Sequence, residues 1–187
     1  LAAKGGTVLM TEYFNRGTPD FRSLLTKIER SKPDAIYTGF FYEDGANFLK
    51  QMKQLGITVP VFSTSAAHNQ KIIELAGPDA EGLSLTTNFL PNDPRPEVKS
   101  FVQAWVKARG AEPGQFPAQA FDAVNIMLDA VVKTYPKTTR ASVRDALAAT
   151  KDFPGVTGKT TFGADREPVK SLSKVRVVGG VFTPVSE

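Results

Sequence analysis

Hydroxyl side chains and a histidine form one group that could carry out chemistry. Ser63, Thr64 and Ser65 follow an apolar run, and His68, the single histidine of the chain, lies shortly after them. A serine beside a histidine could act as a nucleophile and its base, and the hydroxyl groups could also bind a polar ligand. Such hydroxyls also cap helices, which is the interpretation that the sequence favours. A third member of a catalytic triad is not evident.

Aromatic and acidic residues follow the preceding apolar run. Phe40, Phe41 and Tyr42 are consecutive, so they cannot all face the same way, and at least one should project beyond the strand end. A ring there could form the flat apolar wall of a pocket, and for Phe41 this interpretation and burial in the core are equally supported. Glu43 and Asp44 could form an acid–base or metal pair. Because acidic residues are typical of the first turn of a helix, we favour that role for both.

These side chains follow strands that alternate with helices. Apolar runs of strand length begin at Thr7, Ala35, Val59 and Glu81, and helical patterns separate them. This alternation predicts right-handed βαβ crossovers and a parallel sheet, in which ligands bind beyond the carboxyl ends of the strands. We therefore expect an α/β fold whose functional residues lie in the segments 40–44 and 63–68.

Three short amphipathic helices are predicted between these strands. Their apolar stripes are Phe21, Leu24, Leu25 and Ile28, then Phe48, Leu49, Met52 and Leu55, and then Ile72, Ile73 and Ala76. The spacing of three and four residues is that of one helix face. Asp20 is expected to cap the first helix. We assign all three stripes to the core.

The pattern changes at the proline-rich segment 90–96. Beyond it, three helices are predicted, with apolar residues around Trp105, Phe121 and Val143. The segments 158–162 and 172–182 are predicted to be extended, with a turn at the glycine pair 179–180. This half contains too few predicted strands to build a sheet of its own.

Composition argues against several classes of function. The net charge of +4 is spread along the chain without long runs of one sign, which does not support nucleic-acid or membrane-surface binding. The chain has no cysteine, which excludes thiol catalysis and disulfides, and a single histidine makes a zinc site improbable. The glycine motifs of dinucleotide-binding and P-loop proteins are missing, so we expect no cofactor and no metal.

Several short motifs occur in the order seen in one family. They are Asp20-Phe21, Pro33-Asp34-Ala35-Ile36, Phe48-Leu49-Lys50-Gln51, Leu55-Gly56, Ala80-Glu81-Gly82, Phe121-Asp122-Ala123 and Gly155-Val156-Thr157-Gly158. Each is weak alone, but the set covers nearly the whole chain. It resembles the second lobe of type I solute-binding proteins of ABC importers, and most closely the branched-chain amino-acid-binding group.

The resemblance implies two α/β lobes that enclose a ligand by hinge closure. It implies that residues 1–90 are a second-lobe βαβ segment, that residues 91–170 supply first-lobe helices and a crossover, and that residues 171–187 return to the second lobe. Family members have further sequence before the position of Leu1. The resemblance therefore implies a fragment with an incomplete first lobe, whose exposed helices would be covered by self-association or domain swapping.

The resemblance also implies roles for individual residues. Phe41 occupies the position of a tyrosine that contacts the ligand, Ser65 that of a glutamate that pairs with the ligand's ammonium, and Phe116 roughly that of a hinge-side aromatic. Because a buried ammonium without a carboxylate is costly, Ser65 predicts that this end of the ligand is neutral or anionic. The expected ligand-binding residues are Phe40, Phe41, Tyr42, Ser65, His68 and Phe116.

The function implied by the resemblance is that of a non-enzymatic substrate-binding component of an ABC importer. Such a protein is periplasmic, or extracytoplasmic and lipid-anchored. It would capture a small hydrophobic or aromatic carboxylate or amino acid and deliver it to a membrane permease. Two alternatives remain open: a ligand-sensing domain of a receptor or regulator with the same fold, and an α/β enzyme that uses Ser65 and His68 or Glu43 and Asp44.

Overall fold

A computed structural model describes residues 2–185 of the chain. The chain divides at Thr86 and at Ser173 into two compact units. Unit 1 contains the described residues up to Thr86 and from Lys174 onward, and unit 2 is Thr87–Ser173. The sequence analysis places the corresponding divisions near residues 90 and 170.

Helices and strands alternate in the first half of the chain, and three helices precede the remaining strands. In chain order the elements are α1 (Arg22–Ser31), β1 (Ile36–Thr38), α2 (Tyr42–Gln54), β2 (Val61–Ser63), α3 (Gln70–Ala76), β3 (Ser84–Thr87), α4 (Pro96–Arg109), α5 (Gln115–Thr134), α6 (Arg140–Ala148), β4 (Phe153–Gly155), β5 (Gly158–Phe162), β6 (Pro168–Val169), β7 (Ser173–Val178) and β8 (Val181–Pro184). Single 3-10 turns occur at Ala2–Lys4, Ser65–Ala67 and Gly77–Ala80.

The main sheet has five strands in the order β1-β2-β3-β7-β8. β1 pairs with β2 in parallel, with Ile36 opposite Val61 and Thr38 opposite Ser63, and β2 pairs with β3 in parallel. β7 and β8 form an antiparallel hairpin. The parallel βαβ arrangement predicted from the alternation of strands and helices is therefore confirmed.

The segment Thr7–Phe14, predicted as the first strand, does not form one. Its apolar side chains are largely exposed, and its contacts are with α1: Glu12 pairs with Lys27 at 3.0 Å, and the Phe14 ring lies 5.3 Å from that of Phe21. A strand needs a neighbour to accept its backbone hydrogen bonds. β1 is the end strand of the described sheet, and this segment does not pair with it. The strand prediction for Thr7–Phe14 was wrong.

The predicted helices form, with small differences at their ends. α1 begins one residue later than expected, with Phe21 at the N-cap position, while the Asp20 Oδ1 still accepts the Arg22 N–H at 2.9 Å. α2 ends at Gln54, so Leu55 caps the helix and is exposed instead of buried. α3 buries its predicted stripe.

A close contact holds α2 against the core of unit 1. The Phe40 ring is buried beside Phe48, with their centroids 5.8 Å apart. Gly45, on the first turns of α2, leaves the space that this ring fills. A Cβ atom at that position would lie 2.5 Å from two Phe40 ring carbons and 2.8 Å from Ile72 Cδ1 of α3. Glycine at position 45 therefore allows α2, α3 and Phe40 to pack together.

Unit 2 packs its helices around a small aromatic core. The core consists of Phe89, Val98, Phe101, Ala118 and Val156, with Val102 and Trp105 at its border. Contrary to the sequence-based expectation, this half does build a sheet: β4, β5 and β6 form three antiparallel strands. The sheet was missed because its strands are short, with two to five residues each.

The Asp122 carboxylate organises the turn between β4 and β5. It is almost fully buried and accepts the backbone N–H groups of Val156 and Thr157, each at 2.8 Å, and the Thr157 hydroxyl. Lys170 Nζ lies 3.7 Å from the same carboxylate. On the other side of the turn, Arg95 donates to the carbonyl oxygens of Gly155 and Val156, at 3.1 and 3.0 Å.

The long helix α5 is apolar on two opposite faces. One face is buried in unit 2 through Ala118, Ile126 and Ala130. The other exposes Phe121, Val124, Leu128 and Val131, which follow one another at spacings of three and four residues. This spacing is typical of a helix that packs against another helix. We call this exposed apolar face the seam of α5, and such a face is normally covered.

We predict that Gly45→Ala destabilises the protein. Alanine gains about 1 kcal/mol of helix propensity over glycine. Overpacking of a filled core costs about 1–3 kcal/mol, and the new methyl group would collide with the Phe40 ring. The difference is a net loss of up to about 2 kcal/mol, measured by urea unfolding. Gly39→Ala, at a position with open space around it, is the control and should change stability little.

We propose that a second copy of the chain covers the exposed seam of α5, and predict a concentration-dependent oligomer in sedimentation velocity. Val124→Glu with Leu128→Glu places two charges in the seam and should shift the equilibrium to monomer. Ala104→Glu with Ala108→Glu adds the same charges at exposed positions of α4 and should leave the oligomer intact. A wild-type chain that stays monomeric and melts cooperatively would contradict the proposal.

Candidate functional site

The candidate site lies where β1 and β2 end. Because the strands are parallel and in register, Thr38 and Ser63 mark the same edge of the sheet. Their hydroxyl groups form hydrogen bonds with the backbone there. Ser63 Oγ donates to the Thr38 carbonyl at 3.2 Å, and Thr38 Oγ1 donates to the Phe62 carbonyl at 3.3 Å. The residues that follow each strand are thereby brought to one edge.

The segment after β2 is built from two successive helix caps. Thr64 Oγ1 accepts the Ala66 N–H at 3.3 Å and caps the 3-10 turn that begins at Ser65. The Ser65 carbonyl accepts the His68 N–H at 3.0 Å, and Asn69 Oδ1 then caps α3. The capping interpretation is confirmed for Thr64. Ser65 is half-buried at the sheet edge.

The three consecutive aromatic residues after β1 have different environments. Phe40 is 1% exposed and belongs to the core, so the structure places it away from the surface on which a ligand could bind. Phe41 occupies the N-cap position of α2, and its ring is 39% exposed. Tyr42 is the first residue of α2 and is half-buried. Phe41 and Tyr42 therefore remain candidates for a pocket wall.

The acidic pair after these aromatics lies on the first turn of α2, as favoured by the sequence. Asp44 is 3% exposed, and its Oδ1 accepts the Gly17 N–H at 2.8 Å. Glu43 is exposed. The positive end of the helix stabilises both carboxylates. In addition, Asp44 fixes the loop that contains Gly17 against α2.

A residue that the sequence analysis did not select, Arg16, lies over the exposed ring. Asn15–Thr18 is a turn in which the Thr18 N–H donates to the Asn15 carbonyl at 3.1 Å, and Gly17 has a φ of 79°. This positive angle in the third position is typical of a type II turn and favours glycine. The guanidinium carbon of Arg16 lies 5.0 Å from the centroid of the Phe41 ring. The Asn-Arg-Gly-Thr order is the turn signal that could have indicated it.

His68, which follows the 3-10 turn after β2, is buried. Its ring lies 4.7 Å from that of Phe182 in β8, in an edge-to-face arrangement, and the residue is 8% exposed. Burial lowers the pKa of His68 from 6.5 to about 4, because the protonated ring would lose its hydration. The neutral imidazole is therefore the form present in the folded protein near neutral pH.

Other candidate features lie elsewhere or are not found. Phe116, the second residue of α5, belongs to unit 2 and is 46% exposed. A surface depression of about 430 Å³ beside α6, lined by residues of segment 138–147, contains none of the predicted site residues.

Within residues 2–185, acidic, histidine and cysteine side chains form no group of three suited to a metal ion. Across the same range, every helix is too short or too polar to cross a membrane.

The arrangement is suited to binding. It combines an exposed aromatic ring, an arginine above that ring, and half-buried polar groups at one sheet edge. A few polar groups beside an apolar wall are typical of small-molecule sites.

We predict that acid destabilises the protein through His68. The unfolded chain binds a proton near pH 6.5, whereas the folded chain does so only near pH 4. Stability should therefore fall as the pH drops from 6.5 to 4, and the full effect is about 3 kcal/mol. His68 is the single histidine, so urea unfolding of His68→Gln should show a markedly flatter profile over this range. Parallel profiles for both proteins would contradict the prediction.

Comparison with known proteins places this geometry in a family. The model of the family described as "Periplasmic binding protein" matches residues 1–180. A structure from Rhodospirillum rubrum, assigned to a branched-chain amino acid ABC transporter, is 40% identical with a TM-score of 0.82, and the match covers 98% of this chain and 54% of that one. The Leu/Ile/Val-binding protein BraC3 of Rhizobium johnstonii is 26% identical over 163 residues, which are 87% of this chain and 44% of that protein.

A third relative shows the fold alone. The solute-binding protein of an R. palustris ABC transporter, solved in complex with benzoate, is 24% identical with a TM-score of 0.84, and the match covers 98% of this chain and 51% of that one. The chain spans about half the length of these relatives. The fold is that of type I periplasmic binding proteins over this half. With a family model that matches almost its whole length, the chain belongs to the periplasmic binding protein family, a family of binding proteins and not of enzymes.

Proposed function

We propose that the carboxyl-end edge of the unit 1 sheet forms one half of a solute site in the binding component of an ABC importer. The exposed ring of Phe41 at the end of β1 is the observation that carries the proposal. Tyr42 and Ser65 flank it as further ligand contacts. His68, which follows β2, is a buried neutral group packed against Phe182.

The proposed solute is a small hydrophobic or aromatic carboxylate, or an amino acid. Phe41 offers a flat apolar surface that loses little rotamer entropy on binding. Ser65 carries no charge, so this half of the site lacks an acidic partner at that position for an α-ammonium group. The proposed occupant is therefore closer to an aromatic acid, such as the benzoate bound by the R. palustris relative, than to leucine.

The proposed cellular location and membrane partner follow from the family. Periplasmic binding proteins bind solutes outside the cytoplasm, so we infer a periplasmic location, or an extracytoplasmic one with a lipid anchor. The proposed partner is the membrane permease of an ABC importer, to which the loaded protein delivers its solute. The R. rubrum relative, assigned to such a transporter, supports this inference.

We predict that a two-lobed protein binds an aromatic acid. The chain can be joined to the part of the R. rubrum protein that it does not match, and the product screened by thermal shift against benzoate, phenylacetate, leucine, isoleucine and valine. A ligand at a hundredfold excess over its Kd stabilises by about 2.7 kcal/mol, which raises the melting temperature by several degrees. We expect this shift with the aromatic acids.

Matched variants connect the shift to the proposed site. Phe41→Ala should weaken binding by about ten- to hundredfold, the value of one buried aromatic side chain. Phe62→Ala removes a ring of similar exposure (41%) from the middle of β2 and should leave affinity unchanged. The 187-residue chain alone should bind only weakly, since one lobe buries little of the solute. Stabilisation by branched-chain amino acids alone, or micromolar binding by the single chain, would contradict the proposal.

A further inference from the structure

The turn that carries Arg16 is held in place independently of that side chain. Gly17 donates its N–H to the buried Asp44 carboxylate, and the Thr18 hydroxyl donates to the Asn15 carbonyl at 2.6 Å. Downstream, the Phe21 ring is buried against Phe48 with centroids 5.6 Å apart. These contacts involve the backbone or neighbouring residues. The position of Arg16 beside the sheet edge is therefore a property of the turn.

The positive charge of Arg16 is not neutralised by an ion pair among residues 2–185. The acidic residues next to Arg16 in the sequence have other partners, since Asp20 pairs with Arg22 at 3.2 Å and Glu12 pairs with Lys27. Asp44 accepts the Gly17 N–H. Glu43 is exposed on the first turn of α2, where the helix N-terminus offsets its charge. The exposed cation therefore has unused hydrogen-bonding capacity.

The contact with Phe41 leaves that capacity available. An arginine over an aromatic face uses the face of its planar guanidinium, while its N–H groups point outward in the plane. Those groups form two parallel hydrogen bonds to a carboxylate, the geometry that makes arginine the preferred partner of planar anions. The contact with Phe41, with the guanidinium carbon 5.0 Å from the ring centroid, also reduces the freedom of the side chain before a ligand arrives.

We propose that Arg16, held over the ring of Phe41, binds an anionic group of the solute, so that the end of the solute facing unit 1 carries a carboxylate. This inference rests on the proposed function, because it takes the carboxyl-end edge as the solute site. Ser65 is compatible with either a neutral or an anionic end of the solute, and Arg16 favours the anionic end. Arg16 becomes a residue that determines specificity.

The test compares benzoate with its neutral amide on the 187-residue chain itself. The ¹⁵N-labelled protein is titrated into the millimolar range with benzoate or with benzamide, and the signals of Arg16 Nε–H and the Gly17 and Phe41 amides are followed. We expect benzoate to bind at least about tenfold more tightly than benzamide, with shifts that centre on these signals.

Two variants decide the role of Arg16. In Arg16→Gln the preference for benzoate over benzamide should disappear while benzamide binding is unchanged. Arg22→Gln removes an exposed arginine from the start of α1 and should keep the preference. An unchanged preference in Arg16→Gln, an equal loss for both probes, or no binding of benzoate by the wild type would overturn the inference.

Failure of the Arg16 inference can be distinguished from failure of the proposed function. If the two-lobed protein responds to aromatic acids while Arg16→Gln retains its preference, the solute site stands and the role of Arg16 falls. If the two-lobed protein responds to none of the solutes, the proposed function itself fails, and Arg16 loses its context with it.

Discussion

The parallel pairing of β1 with β2 is the constraint on which the candidate site depends. Thr38 lies opposite Ser63, so the chain leaves both strands at one edge of the sheet. Phe41 and Ser65 reach that edge through the register of the strands, without needing a contact with each other. The hydroxyl groups of Thr38 and Ser63 satisfy backbone carbonyls at the strand ends. In the proposed site, recognition would therefore fall to the side chains that follow these strands.

The elements that could be predicted from the sequence are those whose pattern depends on local contacts. The stripe of α3 is buried as predicted, and so is most of that of α1. Thr7–Phe14 has the composition of a strand, but a strand exists only with a partner, and none of the described strands pairs with it. The contact between the motifs around Asp122 and Gly155 could not be predicted either, because it is also a long-range contact. It consists of one carboxylate that accepts two backbone N–H groups.

The sequence predicts which strand ends form the candidate edge, but not which side chains there are exposed. Strand-end positions identified Phe41, Tyr42 and Ser65, yet Phe40 and His68 are buried. For Phe40 the reason lies in α2, where Gly45 opens a space that the ring fills. Arg16 was missed because loops lack periodicity, and its position depends on a bond between Gly17 and the distant Asp44.

Charge discriminates between solutes more sharply than shape at such an edge. One methylene group more or less in an apolar pocket changes binding by about 1–3 kcal/mol, and a ring such as Phe41 accepts both aliphatic and aromatic partners. A buried charge without a partner costs several kcal/mol, so the identity of residue 65 and the presence of Arg16 weigh more. A serine where an acid would attract ammonium, and an arginine free of ion pairs in the described chain, both favour an anion. In the proposed site, the solute class would be set by these two positions, which the fold itself does not require.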